Sequence, residues 1–191
     1  MHNINKFDNC LDNFFKRFIN TINADTGELP ITRHESDWPS PCQQGKAFLS
    51  EEMLDSIHWQ PIKREQNNDL SGLEKALDIE LRQDIQSFFS RYWSEQIETI
   101  FQQGNLTLLF VCNKADMDRL IENQIGHALS KLRNKQTLTF FIACTDSDYI
   151  ISVENDSGQV VLERPGYPVE KILAPDLTHF INELEYGKLS P

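Results

Sequence analysis

Residues Leu70 to Trp93 constrain the fold more than any other stretch, because they carry two apolar helical stripes that one straight helix cannot bury together. Leu70, Leu73, Ala76 and Leu77 form the first stripe, and Leu81, Ile85, Phe88, Phe89 and Tyr92 the second. Each follows the i, i+3, i+4, i+7 spacing of a buried helix face. Ile79 lies off the first stripe, so the spacing predicts two short helices meeting at a corner near Asp78 to Leu81, with both stripes on one core. The polar residues left over are mostly acidic. From Glu65 to Glu98 there are eight acids (Glu65, Asp69, Glu74, Asp78, Glu80, Asp84, Glu95, Glu98) against three bases, Lys75, Arg82 and Arg91. That acidity has two readings, a binding surface or a solvated face.

The whole chain shares the bias, with 29 Asp and Glu against 18 Lys and Arg and a formal charge of −11. Such a field repels nucleic acid and anionic lipid headgroups. It attracts basic partners, and salt weakens the attraction. At 191 residues, 39% apolar and 25% charged, the chain fits one soluble domain. A chain of this length buries roughly 70% of its unfolded surface and needs neither disulfide nor metal to fold. The four cysteines, Cys10, Cys42, Cys112 and Cys144, are widely spaced without a CxxC. The first ten residues lack the apolar core of a secretory signal, and the run Leu106 to Cys112 is too short to cross a bilayer. A reduced, cytosolic protein with buried thiols is expected.

Taken in order, Ile4 to Ile22 predicts an amphipathic helix, with Ile4, Phe7, Leu11, Phe14, Phe15, Phe18, Ile19 and Ile22 on its apolar face. Its polar face mixes Asp8 and Asp12 with Lys6, Lys16 and Arg17, so it reads as a core helix and not as a basic membrane-surface helix. Residues 23–41 read as a loop with turn signals at Thr26-Gly27 and Leu29-Pro30 and two prolines flanking Ser40. Residues 42–55 are ambiguous, and Ile57 to Pro61 reads as an edge strand closed by Pro61. After Trp93 a helix through Ile97, Ile100 and Phe101 ends at Gly104-Asn105. Leu106 to Cys112 reads as a buried strand. Asn113 is expected to cap a helix whose stripe is Met117, Leu120, Ile121, Ile125, Ala128, Leu129 and Leu132, with Lys131 and Arg133 complementing its C-terminal dipole. Gln136 to Cys144 is a strand, and Tyr149 to Glu154 and Gln159 to Arg164 flank a hairpin turn with Gly158 at positive φ. Pro165 to Pro168 is a turn. Pro175 and Asp176 start a last helix that stops at Gly187. These elements predict a single α+β domain, mainly antiparallel sheet packed by helices: an N-terminal helix (1–22), a loop (23–41) and an α+β core (42–191).

The sequence lacks GxGxxG, GxxxxGK[ST], GxSxG and HExxH. Its five histidines, His2, His34, His58, His127 and His179, show no metal-like pairing. His34-Glu35-Ser36-Asp37 reads as a solvated loop, and His127 as a satisfied histidine in preference to a surface group. Glu74 and Asp78 stand one helical turn apart, as an acid and base could, but nothing nucleophilic or phosphate-binding accompanies them. No catalytic residue, metal or cofactor is expected.

Leu73-Glu74-Lys75-Ala76-Leu77-Asp78-Ile79 followed by Asp84-Ile85-Gln86-Ser87-Phe88-Phe89 resembles the helix corner of the SUKH superfamily. That superfamily commonly has Gly after the first helix and Pro before the second, where Asp78 and Arg82 stand here. A closer resemblance spans nearly the whole chain. It rests on Pro39-Ser40-Pro41-Cys42, Trp59-Gln60-Pro61, Glu65-Gln66-Asn67, Ala76 with Asp78-Ile79, Leu106-Thr107-Leu108-Leu109 and Glu122-Asn123-Gln124-Ile125-Gly126-His127. Together and in this order they are similar to the Syd family, whose members interact with the translocon subunit SecY. The resemblance implies an α+β fold and a cytoplasmic protein, peripheral on the inner membrane through SecY. It also implies an acidic surface that meets the basic cytoplasmic loops of SecY, with a role in monitoring SecY assembly.

On that reading the partner-binding residues are Glu65, Glu74 and Asp78, with Glu80 and Asp84 adding charge and Asp118 and Glu122 completing the surface. Trp59 is either an aromatic anchor or a core strand residue. The competing reading, also drawn from the SUKH resemblance, is an immunity-type protein that neutralises a basic toxin.

Overall fold

The N-terminal phenylalanine stripe organises the core. In the computed structural model, which describes residues 6–50, 53–65 and 69–186, helix α1 runs Lys6–Thr26. Ile4, Gln66-Asn67 and Gly187 lie outside the described residues. Phe7, Leu11, Phe14, Phe15, Phe18 and Ile22 are all buried, each contributing about 1.5–3 kcal/mol of apolar burial. Phe14 and Phe15 meet Phe110, which stacks on Phe88 at 4.6 Å. The helix runs four residues beyond Ile22. The Thr26 hydroxyl donates to the Ile22 carbonyl, and Gly27 at φ +76° ends it.

The expected loop 23–41 is therefore partly regular. After the last turn of α1 it contains strand β1, Ile31–Arg33. Strands β2 (Gln43–Phe48) and β3 (Ser56–Trp59) complete an antiparallel sheet in the order β1-β3-β2. The segment expected at an edge is thus central. Pro61 lies beyond the last paired residue of β3 and removes no hydrogen bond from its ladder.

Strand β4 (Ile62–Lys63) leads to helices α2 (Ser71–Leu77) and α3 (Gln83–Ser90), and β4 pairs with β5 (Tyr92–Trp93) beyond them. The corner falls at Asp78 to Leu81, as the two stripes require. Asp78 takes φ +53°, the left-handed conformation in which glycine is commonest. Arg82 takes φ −54° and ψ 141°, a φ that proline also adopts. Both positions thus hold backbone conformations open to Gly and Pro respectively.

The helix expected through Ile97 is instead strand β6, Ile97–Phe101. Ile97, Thr99 and Phe101 are buried while Glu98 is exposed, a period of two and not 3.6. It forms a hairpin with β7, Gly104–Leu108. Helix α4 (Lys114–Arg133) follows, its first turn capped by the Asn113 side chain, which accepts from the Asp116 amide at 2.9 Å. Strands β8 (Thr139–Thr145), β9 (Ile150–Glu154) and β10 (Val160–Glu163) continue the sheet, and Gly158 has φ +80° as expected. Strand β11 (Val169–Ala174), absent from the sequence reading, forms one edge and makes register shifts against β10. Helix α5 (Leu177–Asn182) and strand β12 (Glu185–Tyr186) end the described chain. The main sheet is antiparallel, in the order β11-β10-β9-β8-β7-β6-β12. Helix α4 lies on β8, α5 against β11, α1 against α3 and α5, and α2 against α4. The fold is α+β, as expected. Among the described residues no helix is long and apolar enough to cross a membrane.

Candidate functional site

Helix α4 is rolled relative to its expected stripe. Its buried line is Met117, Leu120, Gln124, Ala128 and Lys131, while Leu129 and Leu132 are 40% and 47% exposed. The two polar residues on that line fasten the helix to the sheet. The Gln124 amide donates to the Phe141 carbonyl at 2.7 Å and accepts from the Phe141 amide at 3.2 Å. Lys131, read from sequence as a dipole-facing cation, is fully buried and pairs with fully buried Glu163. It also donates to the Tyr167 carbonyl at 3.1 Å. The Thr139 hydroxyl donates to Glu163 at 2.7 Å, and His127 Nε2 stands 3.0 Å from Thr139 Oγ1 and 3.4 Å from Glu163 Oε1. Burial pushes the Glu163 carboxyl up, but His127, Lys131 and Thr139 outweigh it and hold the pKa down at about 2. His127 is a satisfied histidine, as preferred from sequence. Its motif from Glu122 to His127 is thus mostly a structural fastener, with Glu122 left on the surface.

The sequence-derived site residues divide by what holds them. Trp59 is 3% exposed and packs on Phe18 at 5.6 Å, so of its two readings the structure shows the core one. Glu74 is half-buried, and its Oε1 accepts from the Leu81 amide at 2.9 Å and from Gln86 at 3.2 Å. It closes the corner from inside. Asp84 is gripped by Arg82 through two hydrogen bonds of 3.1 and 3.3 Å, and Asp118 pairs with Lys114. Glu65, Asp78, Glu80 and Glu122 are exposed and make no ion pair among the described residues. Because α2 packs against α4, the helix that Asp78 caps and the helix that carries Glu122 are neighbours in space although 44 positions separate the two acids in sequence.

A latch fixes the corner. The Arg82 amide donates to Asn155 Oδ1 at 3.2 Å, and Asn155 Nδ2 donates to the Glu80 carbonyl at 3.0 Å. The Arg82 guanidinium covers Gly158 so closely that a Cβ there would lie 2.6 Å from it. Sequence reasoning placed Asn155 and Gly158 in a hairpin turn and had no signal for this second contact.

A second group of charges escaped the sequence reading. A cavity of about 330 Å³ is lined by Arg33 of β1, Glu35 and Trp38 of the following turn, Gln43 of β2, Glu95, and Arg119 of α4. Burial, with Asp116 nearby, raises the Glu95 carboxyl to about 7. Three thiols, Cys10, Cys42 and Cys112, are buried as expected, whereas Cys144 is exposed. Burial pushes Cys42 to about 11 and Cys112 to about 12, which leaves both protonated and unreactive at neutral pH. Among the described residues no group of three or more His, Cys, Asp or Glu could hold a metal ion.

Compared with known proteins, the chain matches a family model described as Syd protein (SUKH-2) over residues 8–186. It is 38% identical to Protein Syd of Pseudoalteromonas atlantica over 176 residues, covering 92% of this chain and 93% of that one. It is also 38% identical to Protein Syd of Colwellia psychrerythraea over 179 residues, covering 91% and 90%, and 38% identical to Protein Syd of Psychromonas ingrahamii over 175 residues, covering 91% and 92%.

Proposed function

The chain belongs to the Syd family, and on that premise we propose that it is an acidic adaptor that docks on the basic cytoplasmic loops of SecY. The observation that supports this reading is the set of exposed acids without ion pairs among the described residues, Glu65, Asp78, Glu80 and Glu122, with Asp78 at the end of α2 and Glu122 on α4, two helices that pack together. Carboxylates already engaged, such as Glu74 and Asp84, have little attraction to spare. Free ones keep their charge available to a partner, screened only by solvent and salt. Cytoplasmic loops of membrane proteins carry an excess of Lys and Arg, and a net charge of −11 steers the protein toward them. Membrane association is then indirect, through the partner, with the protein peripheral on the cytoplasmic side. Docking at such a surface allows the adaptor to monitor SecY assembly.

The test is co-purification with detergent-solubilised SecY complexes at low and high salt. The double reversal Asp78→Lys, Glu122→Lys is expected to weaken capture by about tenfold or more at low salt, and wild-type capture to fall as salt rises. Equal capture of the two proteins would remove these acids from the docking surface. Glu74→Lys is not an equivalent probe, because it also removes the acceptor that closes the corner.

A further inference from the structure

The cavity beside the N-terminal half of α4 holds four charged side chains that do not neutralise one another. Arg33, Glu35, Glu95 and Arg119 all line it, yet among the described residues none makes an ion pair. Elsewhere in the molecule, opposite charges brought together do pair, as Arg64 with Asp69, Arg91 with Asp8 and Asp12, and Lys131 with Glu163. Arg119 is braced on the Trp38 ring, its guanidinium carbon 4.1 Å from the centroid. Stacking of this kind fixes the guanidinium plane and leaves its N–H edge open to an anion. Glu95 is the opposite pole. Its carboxyl has no hydrogen-bond donor among the described residues, and burial and Asp116 raise its pKa with no cation opposing them. The cavity therefore has two carboxyls without a cation, Glu95 the more buried, and two guanidiniums without an anion.

We propose that this cavity binds a small zwitterion of the amino-acid class, its ammonium against Glu95 and its carboxylate between Arg33 and Arg119. A simple anion would leave Glu95 unmatched, and a simple cation would meet the two guanidiniums. A volume of about 330 Å³ accommodates a free amino acid. Binding draws Glu95 into its charged form, so affinity rises with pH through neutrality. The other groups around Glu95 are Asp116 of α4, the buried Cys112 and Cys42 thiols, and Arg33, Glu35 and Arg119 on the cavity wall. The proposal is independent of docking on SecY.

The test is titration of the full chain with a panel of free L-amino acids, using propylamine and propionate as single-charge controls. Heat and the ¹³C shift of the Glu95 carboxyl are followed. At least one amino acid is expected to bind and to lower the Glu95 pKa, and Glu95→Gln and Arg119→Ala each to weaken it by about tenfold. Glu95→Gln is nearly isosteric and breaks no hydrogen bond or ion pair among the described residues, so the fold is expected to persist. No binding by any member of the panel at millimolar concentration overturns the proposal. So does propylamine or propionate binding as tightly as the amino acid.

Discussion

The inner and outer faces of α4 carry charge in opposite ways. On the inner face, Lys131 meets Glu163 with Thr139 and His127 beside them. On the outer face, Glu122 makes no ion pair among the described residues and Asp118 pairs with Lys114 in the open, while Asp78, the C-cap of neighbouring α2, makes none. Buried charge has to be matched inside the protein, since an unmatched ion away from water is costly. Exposed charge is solvated and remains available. Burial and pairing together therefore sort this protein's charges into those that hold the fold and those that can recognise something else.

The sharpest way to break this contrast is to unmatch the inner face. Lys131→Met strands Glu163 and is expected to reduce stability by about 3–5 kcal/mol in urea unfolding. A loss below about 1 kcal/mol would put the pair in the same class as surface pairs. Acid should erode the same contact. The Glu163 pKa is about 2 in the fold against 4.5 for an ordinary Glu. The folded state therefore binds fewer protons in that interval. The stabilisation is complete above about pH 4.5 and is lost as pH falls toward 2, on the order of 3 kcal/mol. Unfolding midpoints measured between those limits should be markedly less acid-sensitive in Glu163→Gln.

A smaller effect is expected at Gln124. Gln124→Leu removes both bonds to Phe141 and leaves its amide and carbonyl unmatched, a loss of about 1–3 kcal/mol by thermal unfolding. The smallest effect belongs to the outer face. Asp78→Lys with Glu122→Lys should cost no more than about 1 kcal/mol, most of it from placing Lys at the positive φ of Asp78, so loss of capture by the folded variant reports on docking.

Sequence periodicity located α1, the α2–α3 corner, the Asn113 cap and the β9–β10 hairpin, because each rests on local rules of stripe, cap or turn. It misplaced α4's inner face because Gln124 and Lys131 occupy core positions with polar heads. Their partners, Phe141 and Glu163, lie on strands made later. Strand β6 was read as helix because Ile97, Ile100 and Phe101 also satisfy a helical spacing over five residues. Strand β11 was missed because Glu170, Lys171 and exposed Ile172 suit an edge and show no buried alternation. The acidity of the corner was legible, but not which of its acids were free. That depended on Arg82, Gln86 and the Leu81 amide, which only the fold brings to Asp84 and Glu74. The cavity of Arg33, Glu95 and Arg119 left no local trace, since its walls come from segments far apart in the chain.

The latch between Arg82 and the hairpin at Asn155 to Gly158 has a consequence for biosynthesis. The corner leaves the ribosome first, and the side chain that ties it down lies 73 residues further on from Arg82. A nascent chain halted before Asn155 carries every acid of the corner without its anchor to the hairpin. The corner is therefore locked only once most of the protein has been made, and its acids take their final places late in synthesis.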